Sequence, residues 1–247
     1  PVITSAATAS VAENTTAVVT VTATDADQPA QTLSYSIVGG ADAAKFSINA
    51  STGALSFVSA PDFETPTDVG GYNVYDVIVQ VADGQGSTDG QAIAVTVTSA
   101  NDNPPVITSA ATASVAENTT VVMTVTATDA DQPAQTLIYS IVGGADAAKF
   151  SINASTGALS FVSAPDFEVP TDVGGNNVYD VTVQVSDGAL SSTKAIAVTV
   201  TAVNDNTPVI TSGATANVAE NTTAVMTVTA TDADQPAQTL TYSIVGG

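Results

Sequence analysis

Val74-Tyr75-Asp76-Val77-Ile78-Val79-Gln80-Val81-Ala82 is the stretch that decides the fold. Tyr75, Val77, Val79 and Val81 fall on every second place, with Asp76, Ile78 and Gln80 between them. A period of two places alternate side chains on opposite faces of a strand. The phrase returns at Val178–Ser186, where Thr182 replaces Ile78 and Ser186 replaces Ala82 while the Tyr/Val face is untouched. Two copies that vary on one face only assign that face to solvent and the other to a core.

Outward from this strand the whole chain repeats. Glu13, Glu117 and Glu220 each head the phrase Glu-Asn-Thr-Thr, at intervals of 104 and 103 residues. The residue lost in the second interval falls between Asp187 and Ile196, in a Gly/Ser-rich stretch that reads as a surface loop. Val19, Val21 and Ala23 alternate with threonines, as do Ile93, Val95 and Val97 with Ala94, Thr96 and Thr98. Further short strands are expected at 33–38, 46–49 and 54–58, with an opening strand split over 2–4 and 9–11. About seven short strands in a repeat of about 100 residues, parted by Gly, Pro, Asp and Asn, predict an all-β chain. Its units are immunoglobulin-like antiparallel β-sandwiches in tandem. The repeats are expected at 1–103, 104–206 and 207–247, the last keeping only its first three strands. No stretch carries a helical stripe.

Composition narrows the function. The 247 residues hold 24 acids against three basic residues, all lysine, with no His, Cys or Trp and a net charge of −21. Yet 44% are hydrophobic, which separates this chain from disordered acidic tails. Such a surface repels nucleic acid and anionic membranes and attracts cations. Lack of cysteine rules out disulfides and thiolate metal sites, and lack of histidine removes the commonest general base and zinc ligand. No apolar run approaches the ~18 residues of a membrane span. Pro1 stands at the phase of Pro105 and Pro208, with no signal peptide before it, so the chain is expected to be cut from a longer protein.

Acidic phrases recur in register. They are Glu13; Asp25-Ala26-Asp27, copied as Asp129-Ala130-Asp131 and Asp232-Ala233-Asp234; Asp62-Phe63-Glu64, copied as Asp166-Phe167-Glu168; and Asp83-Gly84, copied as Asp187-Gly188. Between repeats stand Asn101-Asp102-Asn103-Pro104-Pro105 and Asn204-Asp205-Asn206-Thr207-Pro208. The prolines end strand pairing and stiffen the exit from each linker. With three lysines in the chain these acids cannot be salt-bridge partners. Calcium takes six to eight oxygens from carboxylates, Asn side chains and main-chain carbonyls, and carboxylates set close together repel until a divalent ion neutralises them. Asp83 alone reads equally as a turn residue. Asp42, Asp68 and Asp76 read as solvated surface acids; Tyr35, Phe46 and Tyr75 as core. Asn14 and Asn49 fit a glycosylation pattern. Paired acids also serve glycoside hydrolysis, but an active site copied repeat after repeat, without a cleft or nucleophile, is not expected, and the chain reads as no enzyme.

In the order and spacing of Glu13, Phe46–Gly53, Asp62-Phe63-Glu64, Tyr75 to Gly84, Asn101-Asp102-Asn103 with Pro105, and Asp129-Ala130-Asp131, the chain resembles the cadherin repeat in its bacterial form. The resemblance spans both full repeats, the linkers and the start of the third. It implies cadherin-type sandwiches whose calcium ligands converge at each linker. Carried over by position, the first junction uses Glu13, Asp62, Glu64, Asn101, Asp102, Asn103, Asp129, Asp131 and Asp187. The second uses Glu117, Asp166, Glu168, Asn204, Asp205, Asn206, Asp232 and Asp234. The first set is a formal −7, close to the charge of the three calcium ions that the family implies. Two departures lower the expected number to two or three per junction. Ser99 and Ala202 stand where the family's linker has Asp, and none of residues 132–136 repeats the Asn that follows Asp-x-Asp in vertebrate members.

The resulting expectation is a calcium-stiffened stalk or adhesion segment of a large secreted or surface-anchored bacterial protein. It would be extracellular, without direct membrane insertion or nucleic-acid binding. Two alternatives stand beside it. The repeats themselves bind a partner, either like repeats or cell-surface carbohydrate, or they form a passive spacer without metal. Outward positions are mostly Thr, Ser and Gln, which gives no apolar patch for a partner.

Overall fold

A computed structural model describes residues 1–247. Two compact units divide them: Pro1–Asn103 with Ala130–Gln135, and Pro104–Asp129 with Thr136–Gly247. Each contains one sandwich.

In the first unit the strands are β1 (Val2–Ile3), β2 (Thr8–Ala12), β3 (Ala17–Thr20), β4 (Ala23–Thr24), β5 (Ser34–Gly39), β6 (Phe46–Ile48), β7 (Ala54–Phe57), β8 (Val74–Ala82) and β9 (Thr88–Thr98). One sheet has the order β2-β9-β8-β5 and faces a second of order β3-β7-β6, with β1 and β4 paired separately. Since β1 and β2 are halves of one opening strand, and β3 and β4 of the next, nine segments make seven strands. The strand that decided the fold is β8, with the bounds read from its alternation, and its Tyr/Val face is the buried one. All pairs are antiparallel except β2 with β9. The opening strand starts antiparallel to β4, then crosses to the other sheet, where the neighbouring β9 runs its own way. Apart from a single 3-10 turn at Ala43–Lys45, the unit has no helix.

The core lies between the sheets. Phe46 stacks on Phe57 at 4.6 Å and Tyr75 meets Phe57 edge-on at 5.1 Å, with Val77, Val79, Ile93 and Val95 packed around them. The buried Tyr75 hydroxyl accepts the Thr67 N–H at 3.1 Å, which satisfies its polar end. A turn joins β6 to β7: Asn49 Oδ1 accepts the Ser51 and Thr52 N–H groups, and Gly53 follows at φ +69°. A Cβ there would sit 2.2 Å from the Val21 carbonyl oxygen, which only glycine avoids.

The second unit repeats this plan in β10 (Val106–Ile107), β11 (Thr112–Ala116), β12 (Val121–Thr124), β13 (Ala127–Thr128), β14 (Ile138–Gly143), β15 (Phe150–Ile152), β16 (Ala158–Phe161), β17 (Val178–Ser186) and β18 (Ser191–Thr201). Beyond it, only β19 (Val209–Ile210) and β20 (Ala230–Thr231) form, paired with each other. The three opening strands expected of 207–247 are therefore reduced to one short pair. Pairing explains which part survives. The counterparts of β2, β3 and β5 would need β9, β7 and β8, whose equivalents are not among residues 207–247, whereas β1 and β4 need only each other.

Two acids read as solvated are buried. Asp42 accepts the Val69 and Asp76 N–H groups at 2.8 and 2.9 Å, and Asp68 accepts those of Tyr72 and Asn73 at 3.0 and 3.1 Å. They pin the long loop before β8, and Asp146 and Asp172 do the same in the second unit. Asp76 is exposed as expected. Charge-assisted bonds to a buried carboxylate are worth about 1.5–3 kcal/mol each, so Asp42→Ala should destabilise the first repeat measurably in a denaturant titration, and Asp76→Ala should not. Burial pushes the Asp68 carboxyl up, but the N–H bonds from Tyr72 and Asn73 outweigh it and hold the group below the ordinary aspartate range. A folded value below the unfolded one gives stability that is present above the ordinary range, near pH 4, and lost as pH falls through the folded value. Melting temperature should therefore drop on acidification, and less steeply in Asp68→Asn. Amide exchange should be fast across 213–228 and 232–247, and slowed only around β19 and β20.

Candidate metal centre

Glu13 sits at the end of β2, where alternation turns its side chain inward. Its Oε2 accepts the Phe63 N–H at 2.7 Å and its Oε1 the Ala100 N–H at 2.6 Å. One buried carboxylate thus ties the Asp62-Phe63-Glu64 loop to the residue that opens the linker. Glu117 repeats the arrangement with Phe167 and Val203.

Around Glu13 the first unit gathers acids. Carboxylate oxygens of Glu13, Asp62 and Glu64 lie within 4.8 Å of one another, and so do those of Glu64, Asp102 and Asp131. Asp131 belongs to this unit because residues 130–135 pack with it. Asn103 holds it there: its main-chain N–H and its Nδ2 reach Asp131 Oδ1 at 3.2 and 2.8 Å. Glu64 Oε1 accepts the Gln132 N–H at 3.3 Å, while its Oε2 is buried without a hydrogen-bond donor. Burial first, then the Glu13 carboxylate, raise the Glu64 carboxyl above the ordinary glutamate range. Asp62 is exposed; its Oδ1 accepts the Glu64 and Thr65 N–H groups, and the Thr65 hydroxyl leads in holding its carboxyl low. Asp102 is exposed and accepts Asn103 Nδ2 at 2.9 Å and the Asn14 side chain. Asn101 is half-buried beside it.

The second unit assembles Glu117, Glu168 and Asp205 within 4.8 Å. Asn206 reaches Asp234 Oδ1 at 3.0 Å through its N–H and 2.8 Å through Nδ2, and Asn204 Nδ2 reaches Gln238 Oε1 at 2.8 Å. Burial and then Glu117 raise the Glu168 carboxyl. Asp166 and Asp232 stand outside that trio; each fixes its own loop, Asp166 through the Glu168 N–H and Asp232 through the Asp234 N–H. Asp129 and Asp187 approach within 4.8 Å, as do their counterparts Asp25, Asp27 and Asp83 in the first unit. Asp83 Oδ1 accepts the Gln85 N–H at 2.7 Å to hold the turn, while Oδ2 is buried without a donor.

Sequence reading passed over Asn14 and Asn118. Both sit at positive φ, bond the carbonyl of Pro61 or Pro165 through the main chain, and donate a side-chain amide to Asp102 or Asp205. Their place in the thrice-repeated Glu-Asn-Thr-Thr was the available signal. The donor set is all oxygen, rich in carboxylate and without a nearby base, which fits a hard divalent cation such as calcium.

The cadherin domain family matches residues 7–98 and 111–201. This chain belongs to the cadherin domain family. Cadherin domains are adhesion modules and not enzymes. Protocadherin Fat 1 of Homo sapiens is 32% identical over 191 residues, covering 73% of this chain and 4% of that protein. Cadherin-related family member 2 of Mus musculus is 30% identical over 224 residues, covering 87% of this chain and 17% of that protein. The chain thus spans a small part of the length of these relatives. Among solved structures, mouse cadherin-23 EC22-24 matches with a TM-score of 0.68 at 25% identity, covering 92% of this chain and 75% of that one. The protocadherin gammaB7 EC3-6 cis-dimer structure matches with a TM-score of 0.64 at 28% identity, covering 95% and 56%.

Because the Glu64 carboxyl is raised, its ionised form burdens the metal-free fold: that contribution favours folding at low pH and fades as pH rises through the unfolded and then the folded value. Glu64→Gln should therefore raise the melting temperature of the chelated protein near neutral pH while weakening calcium uptake. Calorimetry with and without chelator checks both directions.

Proposed function

We propose that this chain is a calcium-binding stalk and adhesion segment of a large extracellular protein. The observation that carries the reading is the convergence of Glu64, Asp102 and Asp131 within 4.8 Å, one residue each from the Asp-x-Glu loop, the linker and the next Asp-x-Asp loop. Three repeats, 1–103, 104–206 and 207–247, are joined by linkers at which the ligand residues named from the sequence take two to three calcium ions each. Metal-free, the crowded carboxylates repel and leave the linker free to bend. Calcium that binds only the ordered linker stabilises it by mass action, about 1.4 kcal/mol at ten times the dissociation constant. Extracellular calcium modules commonly bind at about 10⁻⁴–10⁻³ M, a range that would stiffen the array outside a cell. The bacterial form suggested by the motifs is part of this reading, although the relatives named above are animal proteins.

A second reading, contact between like repeats, has one observation in its favour. Val38 and Ile78 are 54% and 38% exposed on the paired strands β5 and β8, where sequence reading expected no apolar patch. A carbohydrate partner gains no such support.

Small-angle scattering of the chain with calcium and with chelator tests the stalk. Calcium should narrow the distribution of shapes and raise the melting temperature. Asp102→Ala should abolish most of that response, whereas Asp76→Ala should keep it. A profile blind to chelator would instead favour a passive, metal-free spacer.

A further inference from the structure

The Asp-x-Glu loop of each repeat hangs from one residue whose main chain is held on both sides. The Phe63 N–H donates to Glu13 Oε2 at 2.7 Å, and the Phe63 carbonyl accepts Asn73 Nδ2 at 2.8 Å. The Phe63 ring packs against the core. Asn73 is buried at the end of the long loop that Asp68 pins, and it is fixed in turn. Its N–H donates to Asp68 Oδ1 at 3.1 Å, and its carbonyl accepts the Val97 N–H at 2.9 Å. It stands at φ +60°, a conformation that Asn adopts more readily than most residues. Its Oδ1 is buried and receives no donor, so the side chain acts through Nδ2 alone. The second repeat carries the same clamp. Asn177, also at φ +60°, donates Nδ2 to the Phe167 carbonyl at 2.9 Å, and the Phe167 N–H donates to Glu117 Oε2 at 2.6 Å. Thr65 and Tyr72 of the first loop are Val169 and Asn176 in the second, yet the clamp is unchanged.

Phe63 stands between Asp62 and Glu64, whose carboxylates come within 4.8 Å of that of Glu13. Like charges at that spacing push the two acids away from Glu13. A loop bonded through the Phe63 N–H alone could swing about that bond, and a second bond on the carbonyl stops the swing. A cation then meets carboxylates that are already gathered, so its binding does not have to order them. We propose that Asn73 and Asn177 are positioning residues for the cation. Without touching it, they raise its affinity by holding the Asp-x-Glu loop against Glu13 or Glu117. This rests on the calcium reading above.

The test uses the whole chain. Asn73→Gly keeps a residue suited to positive φ and removes the amide. Calcium is titrated while NMR follows the Glu64 and Glu168 main-chain N–H signals, one for each loop. Affinity read at Glu64 should fall about tenfold, the scale expected for a hydrogen bond behind a metal ligand, and affinity read at Glu168 should not change. Asn177→Gly should do the reverse. A side chain that only braces the fold would lower the melting temperature and leave both affinities at the wild-type value; that result overturns the proposal. A second measurement needs no variant. Coupling between clamp and cation is reciprocal, so calcium should slow hydrogen exchange of the Asn73 and Asn177 side-chain amides in the wild-type chain. Equal exchange with calcium and with chelator overturns the proposal and leaves the calcium reading intact. A wild-type chain that takes up no calcium overturns both.

Discussion

Main-chain N–H groups take the part that basic side chains play elsewhere in buried ionic sites, and the candidate metal centre depends on that exchange. Glu13 is buried with no cation beside it, and two amides, one from each segment it joins, carry its charge. Main-chain N–H bonds satisfy a carboxylate that burial has taken away from water. The same solution recurs at Asp42, Asp68 and Asp83. With three lysines for 24 acids, the buried carboxylates are met by main-chain and asparagine N–H groups.

The two classes of acid then divide by where their second oxygen points. Asp42 and Asp68 spend both oxygens on amides and so serve only to hold the loop before β8. Glu64 and Asp83 keep one oxygen without a donor, and each residue has the carboxylates of other acids close by. A buried oxygen lacking a donor among like charges is costly to the metal-free fold and valuable to a cation. Hydrogen-bond arithmetic thus separates Glu64 and Asp83 from Asp42 and Asp68, while Glu13 and Glu117 spend both oxygens on amides and still border the clusters.

That arithmetic explains what the sequence revealed. The strands were legible because burial imposes a period of two, and β8 carries it over nine residues without interruption. Register-locked repetition brought out the acidic phrases, since Asp-x-Asp and Asp-x-Glu recur with no basic residue to answer them. Asp42 and Asp68 were misread because a carboxylate bonded to amides looks, in sequence, like any surface acid. The parallel β2–β9 pair has no local signature, because pairing direction depends on which sheet the opening strand crosses to.

Residues 207–247 show the same dependence of local structure on distant partners. Their alternation matches that of the first two repeats, and Val225, Met226 and Val228 would face a core if one formed. Strand propensity alone does not hold them, because a strand's hydrogen bonds and its covered face come from neighbours. The one pair whose members both lie before Gly247 is the pair that forms. The loop carrying Asp232 and Asp234 nevertheless keeps its bonds to Asn206 and Glu168 without a sandwich behind it. The Asp-x-Asp loop is therefore organised by the linker it meets, and the oxygen cluster needs less of the following repeat than that repeat needs for its own core.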